Sequence, residues 1–240
     1  MAKAGFAQLP RRPHADTELT MAIRFSLPLQ ASPEQLQRLL QLQETFALAC
    51  NSLIPLVRET RCWNRVGLHQ MAYRQLREKF PQLGSQMACN AIYSVSRACR
   101  LVYQSQGSPW LATRQPDTPL PLIAFGNQAP VFFDRHTLSL REGGVSMFTL
   151  DGRMRFQVEL SASHQAHFVN DRLREVVLQR IGSIFHLSFV FTPVDGDLLP
   201  DSHDGHLPEY LLVQQAASEP AQTNSTPSGG IANARLTGVA

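Results

Sequence analysis

The stretch Met21-Ala22-Ile23-Arg24-Phe25-Ser26-Leu27-Pro28-Leu29, followed by Ser32-Pro33-Glu34-Gln35, decides the fold. In the first part, Ile23, Phe25 and Leu27 alternate with Arg24 and Ser26, the period-two pattern of a half-buried strand. In the second, Ser32 suits a helix N-cap, Pro33 the first helical position, and Gln35 completes a capping box. A strand thus hands over at once to a helix. Leu36, Leu39, Phe46, Cys50, Leu53 and Val57 continue it on one apolar face, with Gln43 as the polar interruption. Pro55 is expected to kink or end this helix, because proline lacks the amide hydrogen the helix needs.

Further along, Leu68 to Phe80 reads as a second helix stopped by Pro81, and a third starts near Ser85. Its apolar stripe is Ala88, Ile92, Val95, Cys99 and Val102, flanked by a second stripe of Tyr93, Arg97, Arg100 and Gln104. Residues 106–120 are rich in Pro, Gly, Ser and Thr and read as a linker. From Leu120 the period changes to two. Strands are expected at Leu120–Phe125, Val131–Asp134, Thr137–Arg141, Val145–Leu150, Arg153–Leu160, Arg174–Gln179 and Ile184–Phe191. Gly143-Gly144 and Asp151-Gly152 mark hairpin turns between them. Many short strands with close turns favour a small antiparallel barrel.

The expected fold class is therefore α+β: a small antiparallel β-barrel, wedge- or OB-like, with a three-helix insertion after the first strand and a disordered C-terminal tail. Residues 1–18 form a flexible arm. Residues 19–30 and 119–195 build the barrel, and 31–106 are the inserted helical lobe. Residues 107–118 are a linker, and 196–240 an acidic, polar, largely disordered tail.

The 240 residues suit one domain, or two small ones around a shared core. The basic residues are 20 Arg against 2 Lys. Arginine's planar fork matches phosphates and base edges and stacks on nucleobases, although a codon bias towards arginine explains the count equally well. Charge is uneven. Residues 1–194 carry 21 basic and 13 acidic side chains, and residues 195–240 carry 1 and 6. A basic body is compatible with nucleic acid. The four cysteines, Cys50, Cys62, Cys89 and Cys99, form no C-x-x-C pair, which suits a reducing, cytoplasmic setting. No segment reaches the ~20 apolar residues of a membrane span, and residues 1–19 lack the apolar core of a signal peptide.

In their order, several of these segments resemble the N-terminal half of TnpB, the transposon-encoded RNA-guided nuclease related to type V CRISPR effectors. The strand Ala22-Ile23-Arg24-Phe25 leads into the Ser-Pro-Glu-Gln helix start. A long helix then carries Cys50-Asn51-Ser52-Leu53, and Leu83-Gly84-Ser85-Gln86-Met87-Ala88 opens a later one. Val131-Phe132-Phe133-Asp134-Arg135-His136-Thr137-Leu138-Ser139-Leu140-Arg141 and the Leu150-Asp151-Gly152-Arg153 hairpin are similar to the family's barrel strands. The similarity spans roughly residues 19–195. It implies a wedge-type barrel, with the helices as a recognition lobe, that binds structured guide RNA and helps recognise target DNA. The family's RuvC-like domain opens on a metal-binding Asp and later supplies a Glu and a second Asp. Val194-Asp195-Gly196-Asp197 stands near that opening and leads into Leu198-Leu199-Pro200 and the polar tail, so no catalytic residue carries over.

The candidate nucleic-acid-binding residues are Arg24, Arg74, Arg77, Tyr93, Arg97, Arg100, Arg135, Arg141, Arg153, Arg155 and Arg174, with Arg172 and Arg180 beside them. Guanidinium groups on one helical stripe or strand face can follow a phosphate backbone, and Tyr93 can stack. The plainer reading of each is a solvated face. Trp63 and Trp110 are expected to anchor loops. His164-x-x-His167 and His203-x-x-His206 lack a carboxylate or Cys partner at metal-ligand spacing.

Together these readings lead to the expectation of a guide-RNA-binding and target-recognition module without its own nuclease. It would be cytoplasmic, prokaryotic and nucleoid-associated when on DNA. It needs no cofactor, and divalent metal enters only with a nuclease subunit in trans. Its expected partners are structured guide RNA, target DNA and a RuvC-bearing or transposition-related protein subunit. The rival reading is a non-catalytic interaction protein, a split or decayed transposase piece that docks a partner. An enzyme with an unrecognised site is the third.

Overall fold

The computed structural model describes residues 22–114, 118–134, 136–141, 144–193 and 207–214. The arm 1–18, Arg135, the stretch around Asp195, the His203/His206 pair and the tail beyond 214 lie outside the described residues.

The architecture is α+β. Strand β1 (Ile23–Pro28) buries Leu27 and exposes Arg24 and Ser26, as its alternation requires. Helix α1 (Pro33–Thr60) opens with the complete capping box: Ser32 Oγ accepts from the Gln35 amide, and Gln35 Oε1 accepts from the Ser32 amide. Leu39, Leu42, Phe46, Cys50, Leu53, Ile54 and Val57 are buried along one face. The helix runs on through Pro55, so of the expected kink or end the end does not occur. The Pro55 ring faces solvent; the amide hydrogen it lacks removes one ladder bond, and buried Ile54 and Val57 offset that cost by holding the last turns on the core.

Helix α2 (Arg65–Lys79) starts three residues earlier than the apolar pattern indicates. The cause is Asn64, whose side-chain oxygen accepts from the Val66 and Gly67 amides. Gly67 also lies against Cys62, where an added Cβ would stand 2.7 Å from Sγ. After a 3-10 turn at Pro81–Leu83 comes helix α3 (Gly84–Tyr103), whose expected stripe, Ala88 to Val102, is fully buried. The segment expected as linker is partly packed: Ser108 is buried, with its Oγ hydrogen-bonded to Val102 O, and Trp110 packs on the core.

Strands β2 (Leu122–Phe125), β3 (Val131–Phe133), β4 (Leu138–Arg141), β5 (Gly144–Thr149) and β6 (Gly152–Gln157) follow, each inside its expected range to within a residue. The β5–β6 loop is Leu150-Asp151 rather than Asp151-Gly152. Thr149 pairs with Gly152, which takes a φ of 108° that other residues avoid. Two elements were not foreseen. Helix α4 (Ala162–Asn170) is short and buries none of its residues fully, so it carries little periodic signal. After β7 (Asp171–Ile181) and β8 (Ile184–Pro193), strand β9 (Leu211–Gln214) lies within the range 196–240 that was assigned to the tail. It pairs antiparallel with β2 and buries Leu211, which supplies the apolar area that composition alone discounts.

Among the described residues every strand pairing is antiparallel, and the strands form three sheets: β1-β8-β7-β3, β2-β9 and β4-β5-β6. These do not close into one hydrogen-bonded ring. The helices are inserted between β1 and β2, and the buried residues of helices and strands form one continuous core. Two asparagines join the layers. The Asn51 amide bonds both backbone groups of Phe125 on β2, and Asn90 Nδ2 donates to Phe132 O on β3. On the four-stranded sheet, Phe25 stacks on Phe191 and on His164 of α4, and Phe168 of α4 meets Phe189 and Phe191 edge-on.

Candidate nucleic-acid interface

The three-stranded sheet β4-β5-β6 separates its faces cleanly. Leu138, Met147, Met154, Val145 and Phe156 point into the core, whereas Ser139, Ser146, Phe148, Arg153 and Arg155 are half-buried or exposed on the opposite face. Cross-strand register sets Phe148 beside Arg153, and lines up Ser139, Ser146 and Arg155 in the next row. The result is an arginine-, serine- and aromatic-bearing surface with a groove of about 640 Å³ along it.

Arg153 is held in place. Its guanidinium stands 4.3 Å from the Phe148 ring centroid, a cation–π geometry. Nη2 donates to His136 O at 3.1 Å and Nη1 to Ser146 O at 3.3 Å. Arg155 is exposed, with its side chain towards solvent.

Helix α1 braces the β5–β6 hairpin. Gln35, the capping-box residue, also donates from Nε2 to Arg155 O at 3.0 Å. Arg38 donates from Nη2 to Asp151 Oδ1 at 2.6 Å and from the same nitrogen to Thr149 Oγ1 at 3.3 Å. The Arg38 guanidinium, followed by the Thr149 hydroxyl, holds the Asp151 carboxyl below the usual range. The hairpin that presents Phe148 and Arg153 is thus anchored at its turn and along β6.

The remaining candidates divide. Tyr93 and Arg97 both turn onto Glu175 of β7: the Tyr93 hydroxyl and Arg97 Nη1 each lie 2.5 Å from Glu175 Oε1. Arg97 also covers the Phe132 ring, and Arg65 covers that of Tyr93. Burial, then the bond to Glu175, pushes the Tyr93 phenol up. A β-bulge between Leu173 and Glu175 makes Arg174 the extra residue, and its Nε donates to Thr192 Oγ1 at 2.7 Å. Arg77 is half-buried near Cys89, with Nη1 buried and unpartnered. Arg100 and Arg24 are exposed, on α3 and β1. Arg74 is exposed and pairs with Glu78 one turn on, at 3.0 Å. Arg141 contributes its backbone to β4, and Arg135 lies outside the described residues.

The structure therefore brings Arg153 and Arg155 together on one face and joins Tyr93, Arg97 and Arg174 to the β7–β8 side of the fold. Sequence reasoning missed Arg38, Gln35 and Phe148. The alternation in β4, β5 and β6 would have exposed Phe148. Nothing local signals that Arg38 reaches Asp151, 113 positions away.

His164 stacks on Phe25 with ring centroids 4.2 Å apart, and His167 Nδ1 lies 2.7 Å from Asp171 Oδ2. Among the described residues no three His, Cys, Asp or Glu side chains are placed to hold a metal ion, and no helix is long and apolar enough to cross a membrane. Trp63 packs on Tyr103, as a loop anchor does.

No family model matches the chain, and no curated protein matches its sequence.

Proposed function

We propose that this chain is a nucleic-acid-binding module that grips structured RNA through the outer face of β4-β5-β6. In this reading the three sheets together serve as the wedge-type barrel of TnpB-like proteins, and α1 to α3 as the recognition lobe. The observation that supports it is the anchored Phe148–Arg153–Arg155 face. The Arg153 fork is already held beside an exposed aromatic ring on a hairpin braced by Gln35 and Arg38, so placing it costs little further ordering entropy on binding, and Arg155 stands free on the same face to meet phosphate. Arg24 on β1 and Arg100 on α3, both exposed, would add phosphate contacts elsewhere on the molecule. The RNA would be a guide and the complex would recognise target DNA, with any cleavage supplied by a RuvC-bearing or transposition-related subunit in trans.

The test is to coexpress the chain with its flanking locus and sequence the RNA that copurifies. One abundant, discrete structured RNA, bound with steep salt dependence, is the expected result. An RNA-free protein, or one that binds short unstructured oligonucleotides equally well, overturns the reading.

A second reading, a protein-docking module, draws on the exposed apolar tip of the β7–β8 hairpin. Ile181 and Ile184 there are 55% and 49% exposed. It predicts that Ile181→Ser with Ile184→Ser abolishes capture of a partner protein and leaves RNA binding intact.

A further inference from the structure

A second cleft opens beside the arginine face, between the 3-10 turn Pro81–Leu83 with the start of α3 and the β5–β6 hairpin. Its volume is about 590 Å³. Leu83, Met87, Phe148 and Leu150 supply apolar walls, and Gln82 and Gln86 supply amides. Phe148 is 39% exposed, which is high for a phenylalanine in a strand of this core. Arg153 covers its ring at 4.3 Å, while the same ring lines the cleft. Gln86 is not free to rotate: its Nε2 is bonded to Asp134 Oδ2, which leaves Oε1 as an oriented acceptor. Asp134 is itself fixed, because Oδ1 accepts from the His136 and Thr137 amides.

An apolar wall with one oriented amide, that of Gln86, and the exposed amide of Gln82 beside it fits a planar heterocycle with donors and acceptors on its edge. Charge decides between ligand classes. Arg153 lines the neighbouring groove together with Arg155, so a group seated on Phe148 has its linker directed over guanidinium groups. A nucleotide, with a neutral base and an anionic backbone, satisfies both clefts at once.

Resting on the RNA-binding reading above, we infer that this cleft receives one unpaired base of the bound RNA. The base stacks on Phe148 with its edge towards Gln82 and Gln86, while its phosphates lie along Arg153 and Arg155. The site would thus recognise a bulged or splayed nucleotide in otherwise structured RNA, the kind of position where base edges become accessible.

The test uses the full chain and two probes: a short RNA stem with a single bulged 2-aminopurine, and the same stem without the bulge. The bulged stem is expected to bind about tenfold more tightly, with quenching of the 2-aminopurine emission by stacking. Phe148→Ala, and independently Gln82→Trp at an exposed position that fills the cleft mouth, should each bring the bulged stem down to the level of the plain one. Phe148→Trp should keep the preference. Equal, salt-dependent binding of both stems overturns the base site and leaves the RNA-binding reading standing. Binding of neither stem overturns that reading itself. A Phe148→Ala protein that still quenches the probe, or that loses both stems alike, also overturns the assignment of the base to this cleft.

Discussion

Arg97 Nη1 and Glu175 Oε1 meet at 2.5 Å, although 78 positions separate them in sequence. The contact turns a helical stripe that reads as a phosphate-binding surface into a joint between α3 and β7, with Tyr93 on the same carboxylate oxygen. Their side chains are 27% and 19% exposed, so the pair is only partly dehydrated. Arg97→Ala and Glu175→Ala, combined in a double-mutant cycle by urea unfolding, should give a coupling of about 1–2 kcal/mol. That is below the cost of breaking a fully buried pair. Arg97→Ala should leave the salt slope of RNA binding unchanged. A lowered slope would return this stripe to the interface.

Arg155 is the cleanest probe of the sheet face, because its side chain is exposed and its backbone alone braces the fold. Arg155→Ala should change stability by no more than about 0.5 kcal/mol. It should weaken RNA binding and reduce the slope of log affinity against log salt by about one. Unchanged affinity across a salt titration would remove Arg155 from the interface.

Asn51 Nδ2 donates to Phe125 O at 2.9 Å, and Asn51 Oδ1 accepts from the Phe125 amide at 2.7 Å, so the side chain acts as an added strand along β2. Asn51→Asp keeps an acceptor but removes the donor and sets a carboxylate against a carbonyl. The expected loss is about 1–3 kcal/mol by denaturant unfolding, with the m-value unchanged. A loss as small as that of an exposed substitution would show that β2 is held by β9 alone.

Alkali should destabilise the fold through buried neutral acids. Burial pushes the Cys99 thiol up to about 12, raises Cys50 further, and raises the phenols of Tyr93, Tyr103 and Tyr210. Each folded pKa lies above its unfolded value. The associated stability is therefore complete below the unfolded values, about 8.5 for a thiol and 10 for a phenol, and is lost as pH climbs towards the folded ones. Denaturation midpoints should accordingly fall above about pH 9. In the native protein, Cys62 and Cys89 should react with a thiol reagent while buried Cys50 and Cys99 stay protected. Rapid labelling of all four would contradict the packing of α1 on α3.

The sequence by itself determined the elements whose information is local. Ser32 and Gln35 announce the start of α1, the Ala88–Val102 stripe predicts α3, and period-two alternation marks the strands to within a few residues. These signals come from neighbours in the chain, so they survive without tertiary knowledge. The start of α2 was missed because Asn64, its cap, precedes any apolar repeat, and α4 because nine residues resting on aromatics carry little periodicity of their own. Strand β9 exists only because β2 offers it an edge. What the tertiary structure alone decided was the fate of the arginines. A guanidinium reads the same in sequence whether it faces water, as in Arg155, or bonds a distant carboxylate, as in Arg38 and Arg97. Its role depends on which acceptor the folded chain brings within 3 Å, and that proximity is set by the packing of the helices on the sheets.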